Sequence, residues 1–102
     1  MNDLRLGNHP VHPGKLLKEE VEYHKIQQRK LAEQIGMPYN VLNDILNKRR
    51  PLTANNAMLF EAALGVNAEM LMRMQTKYNM QMACEDKSFA KRLEKIRQTT
   101  MY

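Results

Sequence analysis

The sequence predicts an all-α fold, and three observations carry that prediction. Residues that favour strands are scarce: the chain has four Tyr, two Phe and no Trp, with few Val and Thr. No segment alternates apolar and polar with period two, as a half-buried strand would. Apolar residues instead recur at intervals of three and four, and Gly and Pro divide them into stretches of helix length.

Taken in order, residues 1–11, with Gly7 and Pro10, read as a flexible arm. His12-Pro13-Gly14 then leads into a helix over about 14–24, with Leu16, Leu17 and Val21 on one face. The next helix spans about 27–35 through Leu31, Ala32 and Ile35. Gly36 stops it, since glycine most readily takes the left-handed conformation after a helix end. Pro38 suits the first turn of a third helix over about 38–47, which faces inward through Leu42, Ile45 and Leu46. Thr53 is the expected N-cap of a fourth helix over about 54–64, ending at Gly65. Asn67 caps a fifth over about 68–83, with Leu71, Met74, Tyr78 and Met82 at helical spacing. A sixth, from about Ser88, aligns Phe89, Leu93 and Ile96 among Lys91, Arg92, Lys95 and Arg97. The expected organisation is one domain over 12–83 followed by a basic helical extension over 84–102.

Composition narrows the function. No apolar run approaches a membrane span, and no signal peptide opens the chain, so no membrane role is expected. The single Cys84 forms no internal disulfide, which fits a reducing cytoplasm. Net charge is +5, and the excess is localised: residues 27–50 and 86–102 each carry five basic against two acidic groups. Localised positive charge suits a polyphosphate partner.

The stretch "QQRKLAEQIGMPYNVLNDILNKRR", Gln27 to Arg50, holds the strongest motif. Two short helices joined through a glycine turn make a helix-turn-helix. Ala32, four residues before Gly36, lets the pair approach closely. The outer face of the second helix holds Tyr39, Asn40, Asn43 and Asp44, the candidate base-reading residues. Asparagine can bond bidentately to adenine in the major groove. Gln27 and Gln28 at one flank, and Lys48, Arg49 and Arg50 at the other, are the candidate phosphate contacts.

These stretches, with "HPGKLLKEEVEYHKI" before them and "MLMRMQTKYNMQMA" after, resemble HigA/VapI-type antitoxins of the XRE, lambda-repressor-like, helix-turn-helix class. The likeness covers about residues 11–83. It implies a five-helix lambda-repressor-like DNA-binding domain, here with an additional C-terminal helix. It further implies a homodimer that represses its own operon and binds a small RelE-like RNase toxin. The matching positions are Gln28, Tyr39, Asn40, Asn43 and the basic turn Lys48–Arg50. Two departures stand out: Gln27 replaces a better N-cap, and Lys48 stands where the family often has glycine.

Other readings are weaker. His9 and His12, helped by His24, invite a metal reading, but two histidines in a proline-broken arm with no Cys or carboxylate at ligand spacing are a weak signal, so no metal or cofactor is expected. Cys84 lacks a base partner in sequence and reads as a semi-buried thiol. No nucleotide loop, zinc-enzyme motif or nucleophile motif marks an enzyme. Met70, Met72, Met74, Met80 and Met82 crowd the fifth helix over more than one face. Met70, Met74 and Tyr78 are the candidate dimer interface, and a two-fold dimer suits a palindromic operator. An XRE-type repressor without a toxin is the alternative function, and a protein-binding module that has lost DNA binding is the second. The basic extension is open to three uses: dimer contact, partner binding or phosphate contact.

Overall fold

A computed structural model describes residues 10–99. Most of the expected arm, including His9, and the final residues 100–102 lie outside that range. Six helices follow one another: α1 (Pro13–Tyr23), α2 (Gln28–Ile35), α3 (Tyr39–Leu46), α4 (Ala54–Leu64), α5 (Ala68–Glu85) and α6 (Lys87–Gln98). The described residues contain no strand.

The helix starts follow side-chain chemistry. Thr53 Oγ1 accepts from Asn56 N–H at 3.2 Å, Asn67 Oδ1 from Met70 N–H at 2.7 Å and Asp86 Oδ1 from Phe89 N–H at 3.1 Å. Each satisfies one of the amide groups that a helix start leaves unpaired. Pro38 sits at the cap position of α3, one residue before the helix, rather than inside its first turn. Its extended ψ of 140° directs the chain into α3 from outside.

Three helices end in the same closure. Gly36 N–H bonds Glu33 C=O at 3.3 Å and Met37 N–H bonds Ala32 C=O at 2.9 Å. After α1, Lys25 N–H reaches Glu22 C=O and Ile26 N–H reaches Val21 C=O. After α3, Lys48 N–H reaches Ile45 C=O and Arg49 N–H reaches Asp44 C=O. This paired pattern is the Schellman motif, which needs a left-handed residue at its centre. Gly36, Lys25 and Lys48 have φ of 70°, 55° and 64°.

The core gathers Leu17 and Val21 of α1, Leu31 and Ala32 of α2, and Leu42, Ile45 and Leu46 of α3. Ala57 and Phe60 of α4 and Leu71 of α5 complete it with two residues outside helices, Met37 and Leu52. Leu16 and Ile35, expected inside, are half-buried and pack on its margin. Gly14 is where α1 meets α3: a Cβ there would stand 1.9 Å from the carbonyl oxygen of Ile45. Any side chain at that position would force the helices apart.

α5 departs from the expected face. Leu71 and Gln75 are its buried residues, while Met82 is exposed. Gln75 is buried because its Oε1 accepts Leu52 N–H at 2.8 Å and its Nε2 donates to Asn79 Oδ1 at 2.9 Å. Beyond Gln75, α5 outruns the core. It continues to Glu85, past the boundary expected at 83, and α6 carries no buried residue. The protein is accordingly elongated, 54 × 25 × 21 Å.

Candidate nucleic-acid interface

The buried residues of α3 fix which side chains face out. With Leu42, Ile45 and Leu46 inward, helical geometry turns Asn40 and Asp44 directly outward, one turn apart. Asn43 lies on the flank towards α2, as does Tyr39. The helix-turn-helix closure through Gly36 sets α2 against that flank, so the two helices present one continuous surface.

Side-chain hydrogen bonds knit this surface. Asn43 Nδ2 donates to Gln28 Oε1 at 3.2 Å, across the two helices. Asn43 Oδ1 accepts from Arg49 Nη2 at 2.8 Å. Arg49 Nε also reaches Asp44 Oδ1 at 3.3 Å, and Arg50 Nη2 approaches Asp44 Oδ2 at 3.5 Å. The α3 backbone is buttressed from behind: Asn47 Nδ2 donates to Asn43 C=O at 2.9 Å, and Lys18 Nζ donates to Asn47 Oδ1 at 3.0 Å. Arg29 stacks over the Tyr39 ring, Cζ 4.2 Å from its centroid. Such a cation–π contact at an exposed site contributes about 0.5–1 kcal/mol.

The residues singled out from sequence thus fall into two groups. Gln28, Asn43, Asp44, Arg49 and Arg50 form one connected network, and Tyr39 is held by Arg29. Asn40, Gln27 and Lys48 are exposed beside it. Gln27 makes no side-chain cap, so α2 begins with amide groups that its cap residue leaves uncovered. Helix starts of this kind bind anions. Arg29, Lys18 and Asn47 were not singled out. Arg29 was legible as charge on the α2 start, but its stacking depends on the crossing of α2 and α3. The link from Lys18 to Asn47 spans 29 residues and has no local signal.

The turn that carries the cations is anchored from below by His12. This residue, on the expected approach to α1, is buried and caps the helix through Nδ1, which accepts Gly14 N–H at 2.9 Å. Its ring meets Tyr78 of α5 edge-on, centroids 5.0 Å apart. Burial lowers its pKa below the ordinary 6.5, a backbone hydrogen bond to Arg50 opposes that shift, and the charge of Lys48 adds to it. Of the candidate interface residues on α5, Met74 packs against the core margin, Tyr78 against His12, and Met70 is half-buried.

Comparison with known proteins agrees with this architecture. The Helix-turn-helix family matches residues 17–71. Virulence-associated protein I of Dichelobacter nodosus is 31% identical over 78 residues, 76% of this chain and 72% of that protein. An addiction module antidote protein of the HigA family from Coxiella burnetii shares 30% identity and superposes with a TM-score of 0.70, covering 91% of this chain and 97% of its own. The Pseudomonas aeruginosa antitoxin HigA, solved with the higBA promoter, has a TM-score of 0.71 at 24% identity over 90% of this chain and 96% of its own. At that identity the likeness speaks for the fold.

Proposed function

The chain belongs to the Helix-turn-helix family, of the XRE type, with an antitoxin-like fold, and from that premise we propose that it is a DNA-binding antitoxin. It acts as a homodimer in the cytoplasm, reads a palindromic operator, represses its own operon and neutralises a small RelE-like RNase toxin. The single observation that carries this reading is the joined polar face of α2 and α3, with Asn40 outermost and Lys48, Arg49 and Arg50 exposed at its edge.

On this reading each part has a physical task. Asn40 and Asn43 meet base edges, where an asparagine amide matches the donor and acceptor of adenine. Gln28 orients the Asn43 amide through the 3.2 Å hydrogen bond. Tyr39, held under Arg29, serves the same face. Gln27 and the basic turn contact phosphates on either side of the groove. The half-buried Met70, Met74 and Tyr78 lie at the two-fold interface, which spaces the recognition helices about 34 Å apart, one turn of DNA.

The test joins both halves of the function. The protein is titrated onto DNA spanning its own promoter, and it is co-expressed with the product of the adjacent gene. Expected are tight promoter binding, a loss of about 1–3 kcal/mol for Asn43→Ala on promoter DNA but not on random DNA, and co-purification with a neighbour that is toxic when expressed alone. Promoter binding without such a neighbour would make it a plain XRE-type repressor.

A further inference from the structure

Building on the DNA-reading function above, we propose that Asp44 is the specificity-determining residue of the recognition face, a carboxylate that holds Arg49 and Arg50 and releases them only where a base amine replaces them. Asp44 projects outward from α3 beside Asn40, so it enters the groove with the base-reading residues. Its Oδ1 accepts from Arg49 Nε at 3.3 Å and its Oδ2 faces Arg50 Nη2 at 3.5 Å. Arg49 at the same time donates to Asn43 Oδ1 at 2.8 Å. Two cations suited to phosphate are therefore tied to two residues suited to bases.

DNA sets these demands against each other. An ionised carboxylate only accepts hydrogen bonds, and phosphates surround it with like charge. If the arginines move to phosphate, Asp44 is left unpaired in a negative field. If they stay on Asp44, the phosphate contacts are lost. Both branches weaken binding to arbitrary sequence. The conflict is resolved where an exocyclic amine, that of cytosine foremost, donates to Asp44 in the major groove. The arginines are then free for the backbone and Asn43 is free for its base.

Asp44→Asn is isosteric and changes an outward side chain, which makes it the variant of choice. Wild type and variant are titrated by fluorescence anisotropy onto promoter DNA and onto a random duplex of equal length, at several salt concentrations. The variant is expected to bind random DNA about ten-fold more tightly, with a salt slope steeper by about one. On promoter DNA its gain is expected to stay within about two-fold, because the lost amine contact offsets the freed arginines. Glu69→Gln removes the same charge from a comparable pair with Arg73, also at 3.5 Å, on α5. It is expected to leave the ratio of promoter to random binding unchanged. An equal change on both DNAs for Asp44→Asn, or the same loss of discrimination in Glu69→Gln, would overturn the role of Asp44. A wild type with no preference for its promoter would overturn the DNA-reading function itself.

Discussion

The two turns that flank α3 have the same hydrogen-bond closure and opposite compositions. Before α3, Gly36 takes φ 70° with nothing within 4 Å of where a Cβ would be, and Met37 follows it into the core. After α3, Lys48 takes φ 64° and Arg49 follows it into solvent. The first turn is a folding device, with glycine where the backbone is left-handed and an apolar residue to seal the motif. The second keeps the geometry and gives up both advantages, since a lysine in the left-handed region is strained. What it gains is three consecutive exposed cations at the edge of the candidate DNA-reading face. The difference separates a turn built for stability from one that gives up stability for exposed charge.

The largest expected effect tests the first turn. Met37→Ala removes a buried side chain from the motif that sets α2 against α3, and should destabilise the fold by about 2–5 kcal/mol in chemical denaturation. A loss under about 1 kcal/mol would show that Met37 is not a core residue in energetic terms. A smaller and opposite effect should come from the second turn. Lys48→Gly relieves the left-handed strain and should stabilise by about 0.5–1 kcal/mol, while weakening promoter and random DNA alike. Stabilisation together with unaltered DNA affinity would remove Lys48 from the phosphate contacts.

The smallest effect concerns how the second turn is anchored. His12 has a folded-state pKa below its unfolded value of 6.5. Between those two values the unfolded chain binds the extra proton, so stability rises with pH. The contribution is complete above about 6.5 and is lost as pH falls through the folded value. Lys48 and the Arg50 backbone face the ring from the turn, and Tyr78 faces it from α5. Melting curves from pH 5 to 8 should therefore converge between wild type and His12→Asn as pH falls. A constant gap across that range would show that the proton is not involved.

Much of this was readable in the sequence, and the part that was not has a common cause. Thr53, Asn67, Gly36 and Gly65 announce helix ends because capping depends on neighbours within four residues. The polar outer face of α3 follows from the spacing of Leu42, Ile45 and Leu46. Gly14, Gln75 and His12 gave no such signal, because their partners Ile45, Leu52 and Tyr78 lie 23 to 66 residues away. Leu52 and Met37 were missed as core because they sit between helices, outside any periodicity. In the candidate interface the residues were legible, but their hydrogen bonds to one another were not. Asp44 reads as a base contact in the sequence and emerges here as the centre of an arginine pair.

α5 remains as a question of mechanics. It is clamped by Leu71 in the core, by Gln75 on the Leu52 backbone and by Tyr78 against the His12 ring, and no described residue past Gln75 is buried. The residues from Asn79 to Glu85 form a cantilever of roughly 10 Å at 1.5 Å per residue, with α6 as a handle at its tip. A tilt of about 10° at the clamp swings that tip by roughly 2 Å. The fulcrum lies beside Leu52 and His12, the two residues that tether the segment bearing Lys48, Arg49 and Arg50. A load on the handle is therefore borne at the footing of the basic turn.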